Sequence, residues 1–109
     1  MISWVPDAEL PGYQQFSISL PGARTYPGEP EHEAVATLVR RTRPDSSRAV
    51  LYVHGWSDYF FQTHLAEAVE GWGYDFYALD LRRYGRSLRD GQLAGYTADL
   101  AEYHQELDA

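Results

Sequence analysis

The sequence predicts an α/β fold, with an antiparallel strand pair followed by a strand–helix–strand–helix run. Three observations lead there. Two early segments alternate apolar and polar residues with period two, two later segments are continuously apolar or aromatic, and the residues between those later two carry a helical period.

Pro11-Gly12, Pro21-Gly22, Pro27-Gly28 and Pro30 punctuate the front of the chain as turns. Between the first two, Tyr13 to Leu20 sets Phe16, Ile18 and Leu20 against polar partners, the pattern of a half-buried strand. His32 to Arg41 repeats it, with Ala34, Ala36 and Leu38 set against Val35, Thr37 and Val39, and Arg43-Pro44-Asp45-Ser46-Ser47 closes it as a loop. The short turn region between the two strands makes them an antiparallel pair. Arg48 to Val53 is apolar without alternation, as expected of a strand covered on both faces. From Phe61 the period becomes helical, placing Phe61, Leu65, Ala68 or Val69, and Trp72 on one face, and Gly71 and Gly73 stop the helix. Tyr74 to Leu79 is a second apolar run that ends at Asp80. Residues 49–80 therefore read as a βαβ unit with a right-handed crossover. An Arg- and Gly-rich loop from Arg82 to Gly95 follows. A last helix starts near Thr97 as its cap, with Asp99 and Glu102 in the first turn and Leu100, Tyr103 or His104, and Leu107 as its stripe.

At 109 residues the chain holds at most one domain, and its 44% hydrophobic and 23% charged residues are those of a globular protein. A net charge of −7 argues against nucleic acid or an anionic membrane as partner. All nine cationic residues are Arg. The absence of Cys excludes disulfides, thiolate metal sites and a cysteine nucleophile. The opening MISWVPDAEL has no basic region followed by an apolar run, and no apolar stretch approaches the ~20 residues of a membrane span. The expectation is a cytoplasmic protein with no transmembrane segment. His32, His54, His64 and His104 lack zinc-ligand spacing, so neither a metal nor a cofactor is expected.

Two serines invite a nucleophile reading. A nucleophile elbow needs G-x-S-x-G, because its strained strand-to-helix turn admits only small flanking residues. Gly55-Trp56-Ser57-Asp58-Tyr59 places Tyr at the last glycine, and Gly85-Arg86-Ser87-Leu88-Arg89 fails in the same way. The His54-Gly55 pair has a stronger reading. It follows a parallel strand, where ligands meet backbone amides, and a glycine there lets the chain approach a substrate closely. The four arginines between Arg82 and Arg89 suggest either an anion site or internal pairing with acids such as Asp80 and Asp90.

Leu51-Tyr52-Val53-His54-Gly55-Trp56-Ser57-Asp58-Tyr59, followed by Ala78-Leu79-Asp80-Leu81-Arg82-Arg83-Tyr84-Gly85-Arg86-Ser87, resembles the α/β-hydrolases. Within them it is most similar to the serine aminopeptidase S33-like, or monoacylglycerol lipase and lysophospholipase-like, group. Arg83 and Tyr84 depart from the Gly and His of the commoner pattern. The resemblance covers roughly residues 13 to 109. It implies that the chain is the N-terminal portion of a three-layer αβα domain, ending before the nucleophile elbow and without the catalytic histidine. It also implies that the backbone N–H of Trp56 is one of two oxyanion-hole donors, with His54 and Gly55 supporting that loop. His54 is then a loop-shaping residue, and Asp58 and Asp80 hold loops through amides and arginines. The implied whole protein hydrolyses a small-molecule or lipid ester by serine acylation.

Alternatives are an epoxide hydrolase or dehalogenase with an aspartate nucleophile, and a non-catalytic interaction module presenting Trp56, Tyr59, Phe60 and Phe61. A nucleotide-binding unit would need G-x-G-x-x-G after residues 49–53, which is absent. In the hydrolase fold the strand at 49–53 is central, with a partner on each side. Without the nucleophile strand it is an open edge through which chains could self-associate.

Overall fold

The computed structural model describes residues 3–30, 34–41, 45–56 and 58–109. Its elements in chain order are strands β1 (Val5–Pro6), β2 (Gln14–Leu20), β3 (Ala34–Arg40) and β4 (Ala49–Val53), helix α1 (Thr63–Gly71), strand β5 (Asp75–Asp80), and helix α2 (His104–Asp108). Short 3₁₀ turns occupy Gly85–Ser87 and Leu100–Tyr103.

The five strands form one mixed sheet in the order β1-β2-β3-β5-β4. The alternating segments pair antiparallel as expected, with Phe16 opposite Leu38 and Ile18 opposite Ala36. The expected start of β3 at His32 lies outside the described residues, as do Arg43 and Pro44 of the loop after it. β4 and β5 pair in parallel, Leu51 opposite Tyr77, with α1 as the connection. β5 in turn pairs antiparallel with β3, which joins the two halves of the sheet. The two-residue β1, which the Pro-rich front did not predict, pairs with the start of β2.

Period-two alternation divides the side chains between two cores. On one face Val39, Phe76 and Ala78 pack with Phe60 and with Ala66 and Val69 of α1. On the other, Leu20, Ala34, Ala36 and Leu79 pack with Leu81 and Tyr84 and are covered by Tyr103 just ahead of α2. Gly73 ends α1 in the left-handed region (φ +89), where a glycine turns the chain into β5 without a Cβ clash.

Three expectations are corrected. The inner face of α1 is Leu65, Ala66 and Val69, whereas Phe61 and Trp72, expected on it, are 51% and 72% exposed. β4 is not covered on both faces: Val50 and Tyr52 pack toward the core beneath α1, whereas Leu51 and Val53 remain 49% and 41% exposed. The short α2 covers too little of that side, and β4 stands at the sheet edge. The last helical segment is not capped by Thr97. Its hydroxyl bonds to the backbone of Asp99, and the Asp99 carboxylate accepts from the Ala101 N–H instead. Nor do Leu100 and Leu107 form its inner stripe, both being exposed. The buried residue is Glu106, drawn inward by Arg82.

Candidate functional site

The loops that follow the parallel strands β4 and β5 lie side by side at the carboxyl ends of those strands, the position where open α/β sheets bind ligands. His54 joins them. Its Nε2 accepts a hydrogen bond from the Leu81 N–H at 3.1 Å, and its Nδ1 lies 2.9 Å from the Gly55 carbonyl. With Nε2 accepting, the hydrogen bonds assign the proton to Nδ1, which donates. The buried ring packs on Tyr84 with centroids 4.3 Å apart. Both ring nitrogens are thus engaged with backbone, and His54 shapes the loop.

Gly55 and Trp56 then project outward. A Cβ on Gly55 would meet nothing within 4 Å, and its φ is not left-handed, so nothing in the described chain requires glycine there. No described residue accepts a hydrogen bond from the Trp56 N–H, and the indole is 78% exposed. Ser57 lies outside the described residues. Of the other aromatics in this loop, Phe60 is fully buried in the core while Phe61 is exposed. The four rings therefore do not form one surface patch.

The second loop is built on buried ion pairs. Arg82 forks onto Glu106 at 2.7 and 3.0 Å and ties the loop to α2. Arg83 forks onto Glu29 at 2.7 and 2.8 Å, and its guanidinium lies over the Tyr26 ring. The Arg83 hydrogen bonds, outweighing burial, hold the Glu29 carboxyl down at about 2. Arg86 forks onto Asp7 at 2.6 and 2.8 Å and reaches Asp80 and the Phe60 carbonyl with Nη1. Burial opposes ionisation of Asp7, yet bonds from Arg86 and two backbone amides still leave its carboxyl below the usual value. Asp80 also accepts the Phe60 and Arg86 N–H groups, and so clamps both loops as expected. Asp58 differs from the expectation. It accepts from Gln62 at 3.5 Å, and no described arginine pairs with it. Arg82, Arg83 and Arg86 are thus paired internally, whereas Arg89 is exposed and, among the described residues, donates only to the Arg86 and Leu88 carbonyls.

Ser87 is buried, donates to the Asp80 carbonyl at 2.6 Å and shares a hydrogen bond with Thr37, a structural serine rather than an exposed nucleophile. Gly85 is required internally: at φ +41 its Cβ would sit 2.5 Å from the Tyr59 Cβ and 2.7 Å from Asp80 Oδ2. Arg83, at φ +64, holds a left-handed conformation that favours glycine.

Two clefts flank Trp56 and Tyr84. The larger, about 450 Å³, is walled by Trp56, Leu81, Tyr84, Tyr96, Leu100 and Tyr103 and has no carboxylate or guanidinium among its lining residues. Burial pushes the Tyr103 phenol up to about 12, so that wall stays neutral. The smaller, about 210 Å³, is walled by Trp56, Asp58, Tyr59, Tyr84 and Leu88, with Arg83 beside them. Among the described residues no three His, Asp or Glu side chains cluster as a metal site, and no helix is long and apolar enough to cross a membrane. The sequence missed Tyr96, Tyr103 and Leu88 as cleft walls. Leu88 and Tyr96 lie in irregular chain, where no periodicity marks an inward face, and the sequence places Tyr103 only in a helix stripe.

Compared with known protein families, curated proteins and solved structures, the chain matches none.

Proposed function

We propose that this chain is the front part of an α/β-hydrolase-type serine hydrolase acting on a carboxylic or lipid ester, and that the Trp56 N–H is one of its oxyanion donors. One observation carries the reading: an amide unused by any described residue stands at the end of a parallel strand, beside a cleft. His54 fixes that loop from behind, and Gly55 leaves open space through which a substrate carbonyl could approach. Such a donor acts by bonding more strongly to the oxyanion of the tetrahedral intermediate than to the ground-state carbonyl. The attacking serine and its histidine base would come from residues other than these. Ser87 is buried, and His54 has both nitrogens committed.

Two further features favour this reading. Among the described residues β4 has one strand partner, β5, which leaves its other side open for the nucleophile strand that the resemblance implies. Arg83 stands where the family pattern has glycine, and its φ of +64 is a conformation that suits glycine. The aromatic interaction patch is disfavoured, because Phe60 belongs to the core.

The test is turnover of activated esters such as p-nitrophenyl acetate. Residues 1–109 alone are expected to show no burst and no turnover. Protein carrying this segment together with a G-x-S-x-G strand is expected to be active, and displacing the Trp56 amide by a one-residue insertion should cost on the order of 10²–10³ in kcat. Activity in the 109-residue chain, or an unchanged kcat after the insertion, would overturn the proposal.

A further inference from the structure

We infer that the smaller cleft beside Trp56 is a recognition site for an organic ammonium group. Its walls combine the two features that bind such cations. Trp56, Tyr59 and Tyr84 supply aromatic rings, and Asp58 supplies a carboxylate. At about 210 Å³ the cleft has room for a trimethylammonium head.

The charge of the surroundings points the same way. Asp58 accepts from Gln62 at 3.5 Å and stands beside the Tyr52 phenol, and no described cation pairs with it. Arg83 also borders the cleft, but its side chain is 1% exposed and paired with an equally buried Glu29. Arg86, behind the Tyr59 ring, is held by both Asp7 and Asp80, so that buried group carries one net negative charge. A cation entering the cleft therefore meets a carboxylate that no described cation pairs with and a negative background, and the one guanidinium in the lining, Arg83, is paired with Glu29. The chain's overall charge of −7 adds to that attraction at low ionic strength.

The larger cleft, on the other side of Trp56 and Tyr84, has no charged lining residue. A molecule spanning both would place an apolar group in the larger cleft and an ammonium in the smaller one, passing Trp56, which lines both. Assigning these as the two halves of a scissile ester or amide rests on the hydrolase proposal above. The binding of the ammonium does not.

The source of the ammonium could be a quaternary choline-type head or a primary amine such as a peptide N-terminus, and the test separates them. Residues 1–109 are titrated with choline and with leucinamide. In parallel they are titrated with the neutral counterparts 3,3-dimethylbutan-1-ol and 4-methylpentanamide. Chemical shifts of the Trp56 indole N–H and the Asp58 and Tyr59 amides report binding. At least one ammonium is expected to bind about tenfold or more tightly than its neutral counterpart, and the stronger arm identifies the source. Asp58→Asn should erase the preference, and Trp56→Ala should weaken binding of the cation. Equal binding of cation and counterpart to the unmodified protein would overturn the inference, as would a preference that survives Asp58→Asn. Neither outcome involves catalysis, so the site can fail while the hydrolase proposal stands, and the reverse.

Discussion

Replacing Arg83 with glycine sets two effects in this fold against each other. Arg83 occupies φ +64, and a non-glycine residue in the left-handed region costs roughly 1–2 kcal/mol. Glycine removes that strain, although its extra freedom in the unfolded chain takes back about 0.5–1 kcal/mol. Against this, the substitution leaves the Glu29 carboxylate, whose side chain is 1% exposed, without its cation. Breaking a buried pair from one side costs ~3–5 kcal/mol. Two backbone amides, of Tyr26 and Leu93, still donate to Glu29 at 2.8 Å, which argues for the lower end of that range. The native pair is also imperfect, since Arg83 Nη1 is buried with no hydrogen-bond partner among the described residues. The lost pair wins, and R83G is expected to be less stable by about 2–3 kcal/mol. In the double variant R83G/E29Q the stranded charge is gone, and stability should return to within about 1 kcal/mol of the original. Urea unfolding followed by circular dichroism measures both, with an unchanged m-value as the check that the unfolded reference has not shifted. If R83G is as stable as the parent, or if E29Q brings no recovery, the buried pair does not hold this loop.

The same carboxyl sets an acid limit. Its folded pKa of about 2 lies below the ordinary 4.5, so the stability it contributes is complete above about pH 4.5 and is lost as pH falls through 2. Acid unfolding of the parent should therefore show a component in that window that is missing in E29Q, and identical profiles would contradict it. Gly85→Ala should cost about 3 kcal/mol or more, because its Cβ would sit 2.5 Å from the Tyr59 Cβ at a left-handed φ; Gly22→Ala, at φ +74 with nothing within 4 Å, should cost only about 1 kcal/mol. Thermal melts of the two variants compare them, and similar losses would mean that the contact with Tyr59 relaxes. Finally, the unpaired side of β4, with Leu51 and Val53 exposed, should make residues 1–109 self-associate at high concentration, and Leu51→Lys should suppress this. Light scattering across a dilution series decides it, and a parent that stays monomeric throughout would exclude pairing through this edge.

Elements whose signal is periodic were legible. The alternation in Phe16, Ile18 and Leu20 and in Ala34 to Val39 gave the antiparallel pair, and the change of period after Val53 gave the βαβ unit. Failures fell where the outcome depends on what lies across a face. Val50 to Val53 is uniformly apolar, and apolarity states what a strand tolerates, not whether a helix arrives to cover both sides. Around Thr97 the sequence reads with Thr97 as the cap and Asp99 in the first turn. Asp99 took the role because the chain before it is held elsewhere, the Ala98 N–H donating to the Tyr26 hydroxyl, itself bonded to Glu102.

The candidate site divides along a related line. His54, Gly55 and Trp56 could be singled out because they directly follow an apolar run that reads as a parallel strand, although nothing in the described chain requires a glycine at 55, whose surroundings are open. The arginine loop had no such local key. Four guanidiniums within eight residues look the same in sequence whether they await an anion or are already paired. What decides is the position of Asp7, Glu29 and Glu106, which lie 79, 54 and 24 residues from the arginines that they hold. Once those three carboxylates are assigned, Arg82, Arg83 and Arg86 become the frame of the loop, and only Arg89 of the four stays exposed without a described carboxylate. The carboxylate in the smaller cleft's lining is Asp58, between Trp56 and Tyr59 and without a described cation, and the binding chemistry passes from the conspicuous arginines to that aspartate.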